Sequence, residues 1–372
     1  MASRLPVRIR ILFHATIHRL RTLGWRQRPA SPKRILLAHN LLLGDTLMLT
    51  PLLAKLRASY PMAEIVMTVA PGLMGLYRSQ PYGVRTVVYS PYDIDATRAL
   101  LRDEKGFDLA IIPGDNRHAL LALALDARWI VAFAGDRPRW KDWLCDQLIR
   151  FPEQKLAVAD LFTLLAEGEW DEVYLPEAWP HSTTDIRQTP KAPFAVLHVG
   201  AGNPLRLWHP ENWRTIAAKL QSAGIKPVFS CGPGEQHLIH EIDPDNSYSS
   251  YPGSLNLEEL RQLLTQSSLL ICLDSGISHL AKITRTPTIV IYGPGSPELF
   301  GAGRFWRENP FRAVWISDIS CRDQHQIFRR TPQWVQRCGR TPAQCHNANR
   351  CMAGLPVDDV WAAALSLLEQ AP

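Results

Sequence analysis

The chain has 372 residues with 41 Lys and Arg against 35 Asp and Glu, a net charge of +6; at about 150 residues per domain that is room for two or three domains of ordinary globular composition. The basic excess is concentrated at the N-terminus, where Arg4, Arg8, Arg10, Arg19, Arg21, Arg26, Arg28, Lys33 and Arg34 all precede the first acid, Asp45, which argues against general nucleic-acid binding. No apolar run is long enough to span a bilayer, and Arg8 and Arg10 break the apolar core a secretory signal needs, so the expectation is a cytoplasmic chain with reduced thiols.

Residues Arg4 to Trp25 predict a two-sided helix, with Val7, Ile11, Leu12, Ala15, Leu20 and Leu23 on one stripe and Arg and His elsewhere. Such a basic amphipathic helix suits an anionic membrane surface; the competing reading is an extension packed on its own domain. After the short linker Pro29-Ala30-Ser31-Pro32, Arg34 to His39 predicts a first strand. The loop Asn40 to Asp45 leads into a helix from Thr46 to Ser59. Strands follow at Ala63 to Val69, Thr86 to Tyr89, Phe107 to Ile112 and Ala127 to Ala134, with a helix from Asp95 to Lys105. That alternation predicts a doubly wound parallel α/β sheet. Gly135 to Glu153 is rich in Trp, Arg and Asp and carries no clear pattern. Ala157 to Glu167 predicts a helix, and the Pro-, Thr- and Ser-bearing stretch Leu175 to Ala192 predicts an interdomain linker.

A second alternation begins at Phe194 to Val199, followed by the loop Gly200-Ala201-Gly202-Asn203-Pro204. Glu211 to Ala223 predicts a helix and Lys226 to Cys231 a strand. Gly232-Pro233-Gly234-Glu235 opens another helix, and Leu257 to Thr265 predicts one more. The buried-strand run Leu269 to Leu273 then stops at Asp274 and turns through Ser275 and Gly276 into a short helix, with Pro287 to Gly295 as the next strand. The helix start in this βαβ unit offers free N–H groups and a positive dipole end, which suit a phosphate. Pro356 to Glu369 predicts the last helix. Two Rossmann-like halves imply a cleft between them. The expected organisation is a basic extension over 1–30, a first unit over 31–185, a second unit over 190–355 containing a Cys-rich loop at 321–351, and a final helix over 356–372.

Four motifs in order resemble one family. They are Gly44-Asp45 with Thr46 to Leu52; Gly200-Ala201 with Trp208-His209-Pro210-Glu211; Gly232 to Glu235; and Asp274-Ser275-Gly276-Ile277-Ser278-His279-Leu280-Ala281 with Tyr292-Gly293-Pro294. Together they resemble the lipopolysaccharide heptosyltransferases of glycosyltransferase family 9. The resemblance implies a GT-B fold, two Rossmann-like domains facing a central cleft, with the first binding the acceptor and the second the nucleotide-sugar. It also implies inverting transfer of a sugar from a nucleotide-sugar, with ADP-heptose the expected donor. The expected acceptor is a lipid-linked saccharide of the lipopolysaccharide core, met at the inner face of the cytoplasmic membrane. Two departures bear on substrate choice: Arg206 stands where the family usually has Lys, and the first loop begins Asn40-Leu41-Leu42-Leu43.

Inverting transfer needs a base at the acceptor hydroxyl and positive charge at the leaving diphosphate. On the resemblance, Asp45 is the expected base, with Asn40 and Gly44 on the acceptor side; read alone, Asp45 could equally cap the following helix. Arg206 can hold a diphosphate bidentately or be a surface Arg. Gly200, Ala201, Gly232, Asp274, Ser275 and Gly276 complete the expected donor wall. Glu235 either accepts from ribose or adenine or is a helix-start acid, and His279 either faces the phosphate or is a core histidine. Asp93-Ile94-Asp95 and Asp243-Pro244-Asp245 match a metal-holding Asp-x-Asp only formally, so no obligatory metal is expected. Cys321, Cys338, Cys345 and Cys351 could form a structural zinc site, although zinc pairs are usually more closely spaced. Cys145, Cys231 and Cys272 read as small buried hydrophobes. Two other classes remain open at this level: a nucleotide-sugar epimerase or hydrolase on the same two-domain plan, and a catalytically silent binding protein.

Overall fold

A computed structural model describes residues 3–22, 26–180, 189–191 and 193–370. The N-terminal helix α1 (Leu5–Arg21) precedes β1 (Arg34–Leu37), α2 (Leu43–Leu47), α3 (Thr50–Ser59), β2 (Glu64–Val69), β3 (Val84–Val88), α4 (Ile94–Asp103), β4 (Leu109–Ile112), α5 (Ala119–Ala124), β5 (Trp129–Phe133), β6 (Gln147–Ile149) and α6 (Val158–Thr163). The second half runs β7 (Phe194–His198), α7 (Pro210–Ser222), β8 (Lys226–Cys231), α8 (Gln236–Ile242), β9 (Ser249–Pro252), α9 (Leu257–Gln266), β10 (Leu269–Leu273), α10 (Gly276–Thr284), β11 (Thr288–Tyr292), α11 (Pro297–Phe300), β12 (Phe311–Trp315), α12 (Arg350–Ala353) and α13 (Val357–Leu368).

Each half is one six-stranded, all-parallel sheet. The orders are β3-β2-β1-β4-β5-β6 and β12-β11-β10-β7-β8-β9, the same doubly wound order twice. Strands buried on both faces account for the apolar runs: Ile35 to Leu37, Ala195 to Leu197 and Leu269 to Leu273 are all fully buried. The chain reverses direction across each sheet between β1 and β4 and between β7 and β10, and the crevice beyond the strand ends at such a switch point is where ligands of this architecture bind.

The halves meet through an apolar seam. Helix α2 packs on α10 and α11 on α6, and one buried cluster runs from Leu52, Leu56 and Phe162 to Leu264, Leu280 and Trp306. Tyr174 crosses the seam to donate its hydroxyl to the carbonyl of Ile283 at 2.7 Å. The segment after β12 returns to the first sheet. There the guanidinium of Arg330, 3 % exposed, donates to the carbonyls of Ala134, Gly114 and Phe133 and to Oδ1 of Asn116, at the ends of β4 and β5.

Several sequence expectations change in the fold. The helix expected over Thr46 to Ser59 is two helices, because the chain breaks at Met48 and Leu49 before Pro51. The expected apolar stripe of α1 divides. Val7, Ile11 and Ala15 are buried with His18, whereas Leu12 and Leu20 are exposed alongside Leu5, Ile9 and Phe13; Leu23 lies outside the described residues. His18 holds the helix down through Nε2 to the carbonyl of Ala127 at 3.1 Å and Nδ1 to Asp126 at 3.1 Å. Cys145 is half-buried rather than core, while Cys231 and Cys272 are buried. Strands β6, β9 and β12 have no counterpart in the sequence reading.

Candidate active site

The strand ends of both sheets converge on one crevice. Asp45 sits in the first turn of α2, just beyond β1. Its side chain caps neither α2 nor α3, whose caps, Leu42 and Leu49, make no side-chain hydrogen bonds, so the helix-capping reading fails. Burial raises the Asp45 carboxyl to about 6; the guanidinium groups of Arg337 and Arg206 pull it down and the Asp274 carboxylate pushes it up. A carboxyl poised near neutral pH fits proton transfer.

Gly44 lets α2 approach the second half. A Cβ there would lie 3.1 Å from Cδ2 of His279 and 3.3 Å from Cα of Gly276; one on Gly276 would lie 3.2 Å from the Gly44 nitrogen. The backbone that carries Asp45 and the backbone that starts α10 therefore touch. Asn40, half-buried, opens the same loop. His39, which ends the strand register, is buried and neutral, with burial holding its imidazole down at about 3. It accepts from the Leu41 N–H at 3.2 Å and so fixes the loop.

On the opposite wall Asp274 follows β10 and is 4 % exposed. Arg206, in a single 3-10 turn after β7, donates to the Asp274 carbonyl at 2.6 Å and lies 3.8 Å from its carboxylate. Burial raises the Asp274 carboxyl, and Arg206, Arg337 and Lys282 oppose that. Nε of Arg206, Oδ2 of Asp274 and the hydroxyl of Tyr292 are buried without a hydrogen-bond partner among the described residues. Three buried polar atoms without hydrogen bonds, two just beyond β7 and β10 and one on the last residue of β11, mark a place built for a ligand, since buried polar groups are nearly always paired.

Ser275 caps α10, its hydroxyl accepting from Ile277 N–H at 3.4 Å and its carbonyl from Ser278 N–H at 3.2 Å. Glu235 accepts from the Gly232 N–H at 2.8 Å. Its carboxylate lies against Gly200, where a Cβ would collide with it, so Gly200, Ala201, Gly232 and Glu235 form one corner at the ends of β7 and β8. His279 lies at the junction of α2 and α10, with its Cδ2 and Nε2 against Gly44. It is 3 % exposed, neutral because burial and Lys282 disfavour its charge, and 3.2 Å from Nζ of Lys282. That ammonium donates onward to the carbonyls of Phe300 and Gly301 at 3.0 and 2.6 Å.

Arg337 is the site residue the sequence reading missed. It lies in the tail beyond β12, and its charge acts on both Asp45 and Asp274. Burial and repulsion from Arg206 lower its own pKa, while Asp274 and Asp45 raise it. No local spacing marks it; attention in that tail went to the cysteines.

Asp93 caps α4 by accepting from Asp95 and Ala96 N–H, and Asp243 accepts from Ser247 and Tyr248 N–H, so the first Asp of each formal Asp-x-Asp pair holds a local turn. Cys351 lies in the neighbourhood of Cys321, Cys338 and Cys345. Among the described residues, however, no three His, Cys, Asp or Glu side chains converge as metal ligands. Cys345 instead accepts from Asn349 N–H at 3.3 Å. No described helix is long and apolar enough to cross a membrane.

Comparison with known proteins agrees with this geometry. The chain is 23 % identical over 359 residues to lipopolysaccharide heptosyltransferase 3 of Escherichia coli K12, covering 88 % of this chain and 96 % of that one. Among solved structures it superposes on the E. coli ADP-heptose lps heptosyltransferase II with a TM-score of 0.68 at 17 % identity, covering 91 % of this chain and 99 % of that one. It also superposes on the E. coli heptosyltransferase WaaC with ADP, with a TM-score of 0.63 at 17 % identity, covering 76 % and 93 %. The profile of glycosyltransferase family 9 (heptosyltransferase) matches residues 97–326, and with two doubly wound sheets facing one crevice the chain belongs to that family of sugar transferases.

Proposed function

We propose that the protein moves heptose from ADP-heptose to a saccharide of the lipopolysaccharide core, or to a related lipid-linked glycan, with inversion at the anomeric carbon. The observation that carries this reading is the facing arrangement of Asp45 with Arg206 and Arg337. Asp45 takes the proton from the acceptor hydroxyl as its oxygen bonds to the anomeric carbon and the bond to the diphosphate breaks. Arg206, Arg337 and the Ser275 and Gly276 amides at the start of α10 meet the charge left on the diphosphate. With charge compensation supplied in this way, and the first Asp of each Asp-x-Asp pair engaged in a local turn, transfer is expected to need no metal. The unit over 31–185 takes the acceptor, with Asn40 and Gly44 beside it. The unit over 190–355 takes the donor through Gly200, Ala201, Arg206, Gly232, Glu235, Asp274, Ser275 and Gly276, and His279 supports that wall from behind through Lys282.

We place the enzyme at the inner face of the cytoplasmic membrane through α1. Its inner stripe docks on the protein, and its outer face presents Leu5, Ile9, Leu12, Phe13 and Leu20, each more than half exposed, among Arg8, Arg10 and Arg21. Lipid would cover that apolar face, and each Arg near an anionic surface adds about 1 kcal/mol.

The test of the donor is thermal. At 100-fold excess over its dissociation constant a bound donor stabilises by about 2.7 kcal/mol. ADP-heptose should raise the melting temperature where UDP- and GDP-sugars do not, and core saccharide should then be glycosylated. Stabilisation by a different nucleotide-sugar, or conversion of the donor with no acceptor present, would overturn the assignment in favour of another donor or an epimerase.

A further inference from the structure

A second concavity opens beside the first. Between the β5–β6 connection and the returning tail lies a cavity of about 420 Å³, within the roughly 300–1,000 Å³ of small-ligand sites. Gly135, Arg137 and Arg139 line one side and Arg330, Gln333 and Trp334 the other, with Phe151 at the base. It stands at the C-terminal ends of β5 and β6, the same edge of the first sheet that carries Asp45 beyond β1. Two to three inter-strand spacings of about 4.8 Å separate β1 from these strands, which puts the cavity on the order of 10–15 Å from that carboxylate, two or three sugars along.

The lining has a definite chemistry. Phe151 and Trp334 are stacked, 6.3 Å between centroids at 20°, and Trp334 is fixed by its indole N–H to the Pro152 carbonyl at 2.8 Å. Paired flat rings of this kind accept the C–H face of a pyranose. The guanidinium groups of Arg137 and Arg139 are exposed and make no hydrogen bond or ion pair among the described residues; only the Arg137 carbonyl is engaged, by Lys141. The acid of the lining, Glu153, is bound by Arg150. Arg330 spends its donors on main-chain carbonyls and Asn116, so its role is to hold the tail in place. An aromatic floor with two unpaired, bidentate-capable cations is made for a sugar that carries a negative charge.

We infer that this pocket is an acceptor subsite for an anionic saccharide, a residue bearing phosphate or carboxylate a sugar or two removed from the one being glycosylated. The inference rests on the proposed transfer to a core saccharide and adds which acceptors are taken. Binding is tested directly by saturation-transfer NMR with glucose 6-phosphate, galacturonic acid and glucose, with excess ADP present throughout to compete for the donor site. The wild type should bind both anionic sugars and not glucose. Arg137→Ala/Arg139→Ala should weaken both by about tenfold, and Arg137→Lys/Arg139→Lys should recover part. Equal binding by wild type and alanine variant, or glucose binding as well as the anions, overturns the proposal. In transfer, the alanine pair should raise the KM for phosphorylated core saccharide about tenfold and leave the donor's binding constant in place, and the gap should close with phosphatase-treated acceptor if phosphate is the group read. A gap that persists after phosphatase and closes when acceptor carboxylates are amidated points to carboxylate; no gap with either acceptor refutes the subsite. If the wild type transfers to no core saccharide, the acceptor reading fails, while the NMR arm still decides whether the pocket takes anionic sugars.

Discussion

Replacing Asp45 by Asn separates its chemistry from its contribution to folding. The carboxyl is raised from 3.8 to about 6, chiefly by burial. Because the folded value lies above the unfolded one, the folded state holds this proton more tightly. Ionisation therefore costs stability as pH rises from about 4 to 6, and the whole cost is present above that range. A rise of about two units corresponds to a ceiling of roughly 3 kcal/mol. Asp45 is only half-buried, so solvent screening reduces this to about 1–2 kcal/mol. The neutral, nearly isosteric amide escapes that cost, so at pH 8 Asp45→Asn should melt above the wild type, by roughly 2–4 °C at about 2 °C per kcal/mol for a chain of this size. The gain should fall to about half by pH 5 and be nearly gone below pH 4. Transfer should drop about 10²–10⁴-fold, the usual worth of a general base, and wild-type kcat/KM should fall as pH goes below about 6. The assays are differential scanning fluorimetry at several pH values and ADP release with acceptor. A variant that melts lower than wild type at pH 8 and keeps its turnover would refute the reasoning and make Asp45 a structural residue.

Arg206→Ala and Arg337→Ala should each weaken ADP binding and slow transfer by roughly tenfold or more, with Arg206→Lys retaining part because the charge survives and the bidentate geometry does not; calorimetric titration with ADP checks both, and unchanged affinity in either variant removes that residue from the diphosphate site. Gly200→Ala forces a methyl into the Glu235 carboxylate, so donor affinity should fall while the fold survives; a variant binding ADP as the wild type does would show the corner to be irrelevant. Leu12→Glu/Phe13→Glu should leave the melting temperature within a degree or so of wild type yet abolish flotation with anionic vesicles, whereas Val7→Asp, on the inner stripe, should lower the melting temperature. Flotation equal to wild type in the first variant would return α1 to a purely structural role.

Strands buried on both faces announce themselves, because each residue pays the same demand for apolarity on both sides. Leu269 to Leu273 and Phe194 to His198 were therefore legible, and so was the doubly wound plan. The strands that were not legible, β6, β9 and β12, are sheet edges, where half of the surroundings are solvent or loop and Gln147, Ser249 and Arg312 are tolerated. Short-range turn chemistry also placed Asp45, Glu235 and Asp274 correctly beyond strand ends, since a residue after a strand must leave the sheet at its C-terminal edge. Three matters were decided only in three dimensions. The inner and outer faces of α1 differ by what they pack against, not by composition, so Leu12 and Ile11 look alike in sequence and part in the fold. His279 was pulled into the seam by the close approach of Gly44 to Gly276, a contact between residues more than 200 positions apart. Arg337 and the Phe151–Trp334 floor exist because Arg330 pins the tail to carbonyls at the ends of β4 and β5, and no periodicity within the tail encodes a partner that distant.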